Sequence, residues 1–267
     1  MRAFADKVII ITGASEGIGR ALASALAPQR PKLVLAARNR ERLDSSAAEC
    51  TTLGAQAHVV PTDVTDPAAC QALVDATVAR FGGIDVLVNN AGGTMWTRFD
   101  EIQDLSIFER LMRLNYLGSV YPTFFALPHL KQSQGRIVAN AGMAGLVGLP
   151  TKTAYSAAKH ALIGFCDGLR VELAGSGVTV TVICPDIVAT QIYTRALGPD
   201  GRPLGESPMA GSKGMSTEEC AALMVAAIER RERLAFTSAR GRRSRFIKLF
   251  APGIVDRVVA KAFLQKR

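Results

Sequence analysis

The chain has 267 residues, five cysteines and a formal charge of +9. Its 48% hydrophobic and 21% charged residues exclude a disordered chain, and its length lets one core bury about three quarters of the unfolded surface without disulfides. The charge is uneven: residues 230–267 hold 12 Lys/Arg against Glu232 and Asp256, so the body is nearly neutral and no nucleic-acid partner is expected.

The first apolar run, 8–11, is a β-branched block that reads as a buried parallel strand. It enters the glycine-rich stretch 12–19. Residues 20–27 then form a helix that stops before Pro28. Strands follow at 33–36, 58–60, 84–88, 136–139 and 178–183, separated by helices at 40–53, 67–81, 105–130 and 153–175. Alternating strands and helices predict right-handed βαβ units. The expected fold is one α/β domain over 1–267, a doubly wound Rossmann-type domain with a mostly parallel sheet and ligand at the strands' carboxyl ends. The Gly/Pro-rich stretch 198–214 reads as a loop within that domain.

Cys50, Cys70, Cys166, Cys184 and Cys220 lack CxxC spacing, so neither a zinc site nor a disulfide framework is expected. No apolar leader and no run of about 18 uncharged apolar residues is visible. A cytoplasmic protein is expected.

Gly13, Gly17 and Gly19 stand between strand and helix with GxxxGxG spacing. Glycine permits a tight turn and close ligand approach, and the helix N-terminus suits a pyrophosphate. At the tip of the second strand stands Ala37-Arg38, with Arg40 and Arg42 nearby and no acid. An acid there would bind a ribose 2′-OH, whereas an arginine accommodates a 2′-phosphate. NADP(H) is therefore expected in preference to NAD(H). Glu16, inside the turn, points the other way. Tyr155 and Lys159 share one helix face at i and i+4. A lysine ammonium one turn away favours a phenolate and predicts a lowered tyrosine pKa, suited to proton exchange with a carbonyl oxygen.

These motifs resemble, in order, those of the short-chain dehydrogenase/reductase family. Residues 12–19 (TGASEGIG) resemble its cofactor turn, Asp63-Val64 its adenine-contacting pair, and 89–92 (NNAG) its signature after the fourth strand. Asn115 resembles its helix-borne asparagine, Tyr155 to Lys159 its YxxxK, and 185–190 (PDIVAT) its nicotinamide-side segment. The resemblance implies cofactor contacts at Gly13, Ser15, Glu16, Gly17, Ile18, Gly19, Arg38, Asp63, Val64, Asn90, Ala91, Gly92, Tyr155, Lys159, Pro185, Val188 and Thr190. It implies Tyr155 as acid/base, Lys159 as its activator and ribose ligand, Asn115 as the proton relay, and Gly142 and Met143 beside the substrate. It also implies a homodimer or homotetramer.

The family carries a serine 13 residues before the tyrosine, and here that position is Gly142. An oxyanion-type donor contributes about 3 kcal/mol, so its loss matters. Three readings stand: another donor such as Asn140 or a water, with Thr151 and Thr153 the other nearby polar side chains; a substrate that activates itself or needs the room; or a cofactor-binding protein with weak or lost catalysis. Asp186 replaces the family's glycine after Pro185, to bond the carboxamide or repel the phosphates.

Residues 191–215 correspond to the family's substrate lid, and Ile192, Tyr193, Leu197, Met209 and Met215 suit an apolar flap. Residues 230–267 form a basic amphipathic segment, suited to an anionic membrane surface or to packing on a subunit. Its Phe-Ala-Pro-Gly block resembles the family's dehydrogenase/reductase member 7B-like branch, associated with lipid ketone reduction at membranes. The expected activity is NADP(H)-dependent interconversion of an apolar ketone (lipid, steroid or aromatic) and its secondary alcohol, with peripheral membrane contact through the C-terminal segment and no metal.

Overall fold

The computed structural model describes residues 3–211 and 213–264. Seven strands form one sheet: β1 Val8–Thr12, β2 Lys32–Ala37, β3 Gln56–Pro61, β4 Val86–Asn89, β5 Arg136–Asn140, β6 Thr179–Cys184 and β7 Leu234–Phe236. Their order is β3-β2-β1-β4-β5-β6-β7, and every pairing is parallel. The order reverses between β1 and β4, where open α/β sheets bind ligands.

Side-chain alternation sends Ile9 and Ile11 to one face of the sheet and Ile10 to the other. Helices α1 (Gly17–Leu26), α2 (Arg40–Thr52) and α7 (Thr217–Glu229) cover the first face. The second is covered by α3 (Pro67–Phe81), α5 (Gly118–Gln132) and α6 (Thr153–Glu172). Both layers are apolar because a parallel sheet is buried on both sides.

The helix expected over 105–130 is interrupted. It runs as α4 (Ser106–Met112), a π-helical turn at Arg113–Leu117, and then α5. The extra residue in that turn changes which side chains face inward, and Asn115 lies on it, fully buried.

The C-terminal segment is no simple appendage. Its first part supplies β7, paired with β6 in register Ile183 to Ala235. Helices α8 (Ala239–Phe250) and α9 (Pro252–Leu264) follow. All five cysteines are free and buried. Burial raises each thiol, to about 11 at Cys50 and about 12 at the others.

Candidate active site

One cleft of about 1480 Å³ runs along the carboxyl ends of the strands, from the glycine-rich turn to α8 and α9. Every residue expected to touch cofactor or substrate lines it except Gly19. Gly19 stands behind the turn, where an added Cβ would lie 2.8 Å or less from Gly13 backbone atoms and 2.6 Å from Asn90 Nδ2. It allows helix and turn to pack closely. Gly13 has φ +67°, and a Cβ there would meet Ala91 Cα at 2.9 Å.

Thr12, at the end of β1, ties the turn to the loop after β4. Its Oγ1 accepts from the backbone N–H groups of Asn90 at 2.9 Å and Ala91 at 3.1 Å. Asn90 Nδ2 donates back to Thr12 O at 3.1 Å. The N-terminus of α1 opens into the cleft with no side-chain cap from Glu16. An uncapped terminus beside closely packed glycines fits a bound diphosphate.

Arg38 is exposed at the tip of β2 and lines the cleft. The Glu16 carboxylate accepts from Arg42 Nη1 at 2.7 Å and also pairs with Arg195. Two guanidiniums therefore offset the one acid of the turn. Asp63 Oδ1 accepts from Thr65 N and Oγ1 at 2.9 and 2.8 Å, which shapes the loop after β3.

At the other end, Tyr155 and Lys159 project from α6 into the cleft. Lys159 Nζ donates to Asn140 O at 2.7 Å and lies 5.8 Å from the Tyr155 ring centre. The expected lowering of the tyrosine is not what this site produces. Burial pushes the Tyr155 hydroxyl well above the ordinary tyrosine value, and burial likewise lowers Lys159 to about 8. Desolvation is the largest cause of both shifts. Asn115 Nδ2 donates to Gly93 O and Leu111 O, both at 3.0 Å. A Cβ on Gly92 would sit 2.7 Å from Asn115 Oδ1 and 3.6 Å from Lys159 Nζ, so glycine lets the two side chains share one corner.

Gly142 faces Tyr155 with φ +64° and ψ 174°, a conformation that L residues rarely adopt. Asn140 Nδ2 is turned to Asn90 Oδ1 at 2.9 Å, and Thr153 lies outside the cleft. Thr151 does line it, with its Oγ1 donating to Pro150 O at 2.5 Å.

Sequence reasoning missed the role of the C-terminal helices. Ile247 of α8 and Ile254, Val255, Val258 and Val259 of α9 line the cleft. Asp186 ties the start of α8 to the loop after β6. Its carboxylate accepts from Arg240 Nη2 at 2.6 Å, Arg240 Nε at 3.0 Å and Ser238 Oγ at 2.7 Å. Burial opposes its charge, but these bonds keep the carboxyl below its ordinary value. Lys248 Nζ adds a bond to Leu146 O at 2.7 Å. The segment 191–215 is stitched to the opposite loop by Trp96 N to Leu197 O and Leu197 N to Thr94 O. Between them, Lys152 Nζ lies 4.7 Å from the Trp96 ring and 4.6 Å from that of Tyr193.

The family model described as short chain dehydrogenase matches residues 7–198. The chain belongs to the short-chain dehydrogenase/reductase family. The family is one of oxidoreductases that bind nicotinamide cofactors. This short-chain dehydrogenase/reductase is 40% identical over 226 residues to an 11-beta-hydroxysteroid dehydrogenase of Pinus massoniana, covering 82% of this chain and 63% of the relative. It is 34% identical over 266 residues to 11-beta-hydroxysteroid dehydrogenase A of Sesamum indicum, covering 97% and 76%. The chain thus spans somewhat less than two thirds of the pine relative's length. Among solved structures, a short-chain dehydrogenase/reductase from Burkholderia phymatum in complex with NAD superposes with TM-score 0.83 at 28% identity, covering 95% of this chain and 96% of that one. Levodione reductase gives TM-score 0.77 at 27% identity, covering 87% and 96%.

Proposed function

We propose that this short-chain dehydrogenase/reductase interconverts a ketone and a secondary alcohol with NADP(H). The observation that carries the reading is the buried Lys159 one helical turn from the half-buried Tyr155, at one end of a cleft whose other end is an uncapped helix N-terminus. A nicotinamide held in this cleft would supply the hydride for reduction of the ketone and take it up in oxidation of the alcohol. Tyr155 gives its proton to the carbonyl oxygen in reduction and takes it back in oxidation. Asn115 relays that proton toward Lys159 at their shared corner by Gly92, and Lys159 also holds the ribose end.

Arg38, with no acid at the tip of β2, favours a 2′-phosphate and supports NADP(H) over NAD(H). The substrate end is walled by Met143, Leu149, Ile192, Leu197 and Val255, which suits an apolar lipid, steroid or aromatic ketone. The names of the plant relatives agree with that class. Exposed Phe124 on α5 and Val171 on α6 support a homodimer or homotetramer.

The test follows NADPH oxidation across a panel of apolar ketones. Tyr155→Phe is expected to lower turnover about 10²- to 10⁴-fold while NADPH still binds. The conformation of Gly142 favours one other reading, a cofactor-binding protein without turnover. NADPH binding without oxidation by any ketone selects it.

A further inference from the structure

We infer that the outer face of α8 and α9 docks on an anionic lipid bilayer, with the substrate cleft opening into the docked face. Thirteen large hydrophobic side chains are exposed among the described residues, and six of them lie on these two helices: Phe246, Ile247, Leu249, Phe250, Ile254 and Val258. Phe250 is 86% exposed. A patch of this kind on a folded protein marks an interaction site.

Charge says which partner fits. Arg242, Arg243, Arg245, Arg257 and Lys261 are exposed beside the apolar residues, and Asp256 is the only acid from 239 to 261. Aromatic and aliphatic side chains interleaved with Arg and Lys suit an interface of acyl chains below anionic headgroups. A second copy of the chain fits poorly, because a two-fold contact would set this cationic face against itself.

The patch is continuous with the site. Ile247, Ile254 and Val258 are exposed and also line the cleft, so they form its rim. Val255 and Val259 continue the apolar wall inward. Helix α8 is anchored to the core through Arg240 on Asp186 and Lys248 on Leu146 O, and α9 packs on α8, so a docked bilayer meets a fixed opening. An apolar substrate would then reach Tyr155 from the bilayer without crossing water. That last step rests on the proposed activity; the docking does not.

Flotation of the full chain with phosphatidylcholine vesicles, with and without about one third phosphatidylserine, tests the inference. Binding is expected only to the anionic vesicles and is expected to fall with added salt. Reversing three cations (Arg242→Glu, Arg243→Glu, Arg245→Glu) should weaken it about a hundredfold. Phe246→Ser, Leu249→Ser and Phe250→Ser together should abolish it. None of the six lines the cleft, so NADPH affinity and reduction of a water-soluble ketone should be unchanged, which also reports correct folding. Equal binding to both vesicle types, or undiminished binding by both variants, overturns the inference. So does a parent that ignores vesicles and whose oligomer the serine variant splits, which would assign the face to a second copy. Vesicle binding needs no turnover, so failure of the proposed activity is told apart from failure of the docking.

Discussion

A Cβ placed on Gly142 would lie 3.5 Å from the Tyr155 hydroxyl, in a backbone conformation with φ +64°. The position faces the tyrosine as the family's serine would, but the chain path there is one that glycine adopts freely and serine does not. Gly142→Ser is therefore expected to cost about 1–3 kcal/mol of stability and to bring no gain in turnover. Thermal unfolding with parallel ketone-reduction assays checks this. Unchanged stability with faster turnover would show that the loop accepts serine and merely lacks its hydroxyl.

Arg38 is the test of cofactor choice. Its guanidinium is exposed at the tip of β2, whereas Arg42 is already paired with Glu16. Losing a hydrogen bond to a charged group typically weakens binding roughly ten- to hundredfold. Arg38→Ala should weaken NADPH by that amount and leave NADH unchanged, as read by cofactor fluorescence titration. Equal losses for both cofactors would remove Arg38 from 2′-phosphate recognition.

Lys159 predicts a pH dependence of stability. Its folded value is lowered to about 8, below that of the unfolded chain. Between about 8 and the ordinary lysine value the unfolded chain holds more protons, so the contribution of this group to stability rises with pH across that window. Below it, the full cost of a buried ammonium is present. Urea denaturation from about pH 7 to pH 9.5 should show the rise, and Lys159→Met should flatten it. Identical pH profiles for parent and variant would mean the lysine is solvated in the folded protein.

Asp186 joins the nicotinamide-side segment to α8. Asp186→Asn keeps the size of the side chain but removes the charge that Arg240 and Ser238 bond. Because Arg240 is largely exposed, the expected global loss is only about 1 kcal/mol. The local effect should be larger: hydrogen exchange over 239–261 should accelerate while β1 and β4 stay protected. Unaltered exchange over 239–261 would show that apolar packing alone holds the helices.

Strands β1, β2, β4, β5 and β6 were legible because each is a dense apolar run buried on both faces. Strand β7 was not: three residues are too few to show a period, and its pairing with β6 joins residues about fifty positions apart. The interruption at 113–117 was hidden for a related reason. A π-turn leaves the composition of a helix unchanged and alters only the register of its bonds.

The amino-acid sequence by itself determined the doubly wound frame, the glycine-rich turn, the tyrosine and lysine one turn apart, and the family to which they belong. Each of these is written in local spacing. The fold decided what depends on distant chain segments meeting. It paired Glu16 with Arg42 and Arg195, bound Asp186 to Arg240, and made a basic C-terminal end into a wall of the cleft. It also reversed the expected shift of Tyr155, because a tyrosine's proton affinity follows burial, and burial is set by every element packed around it.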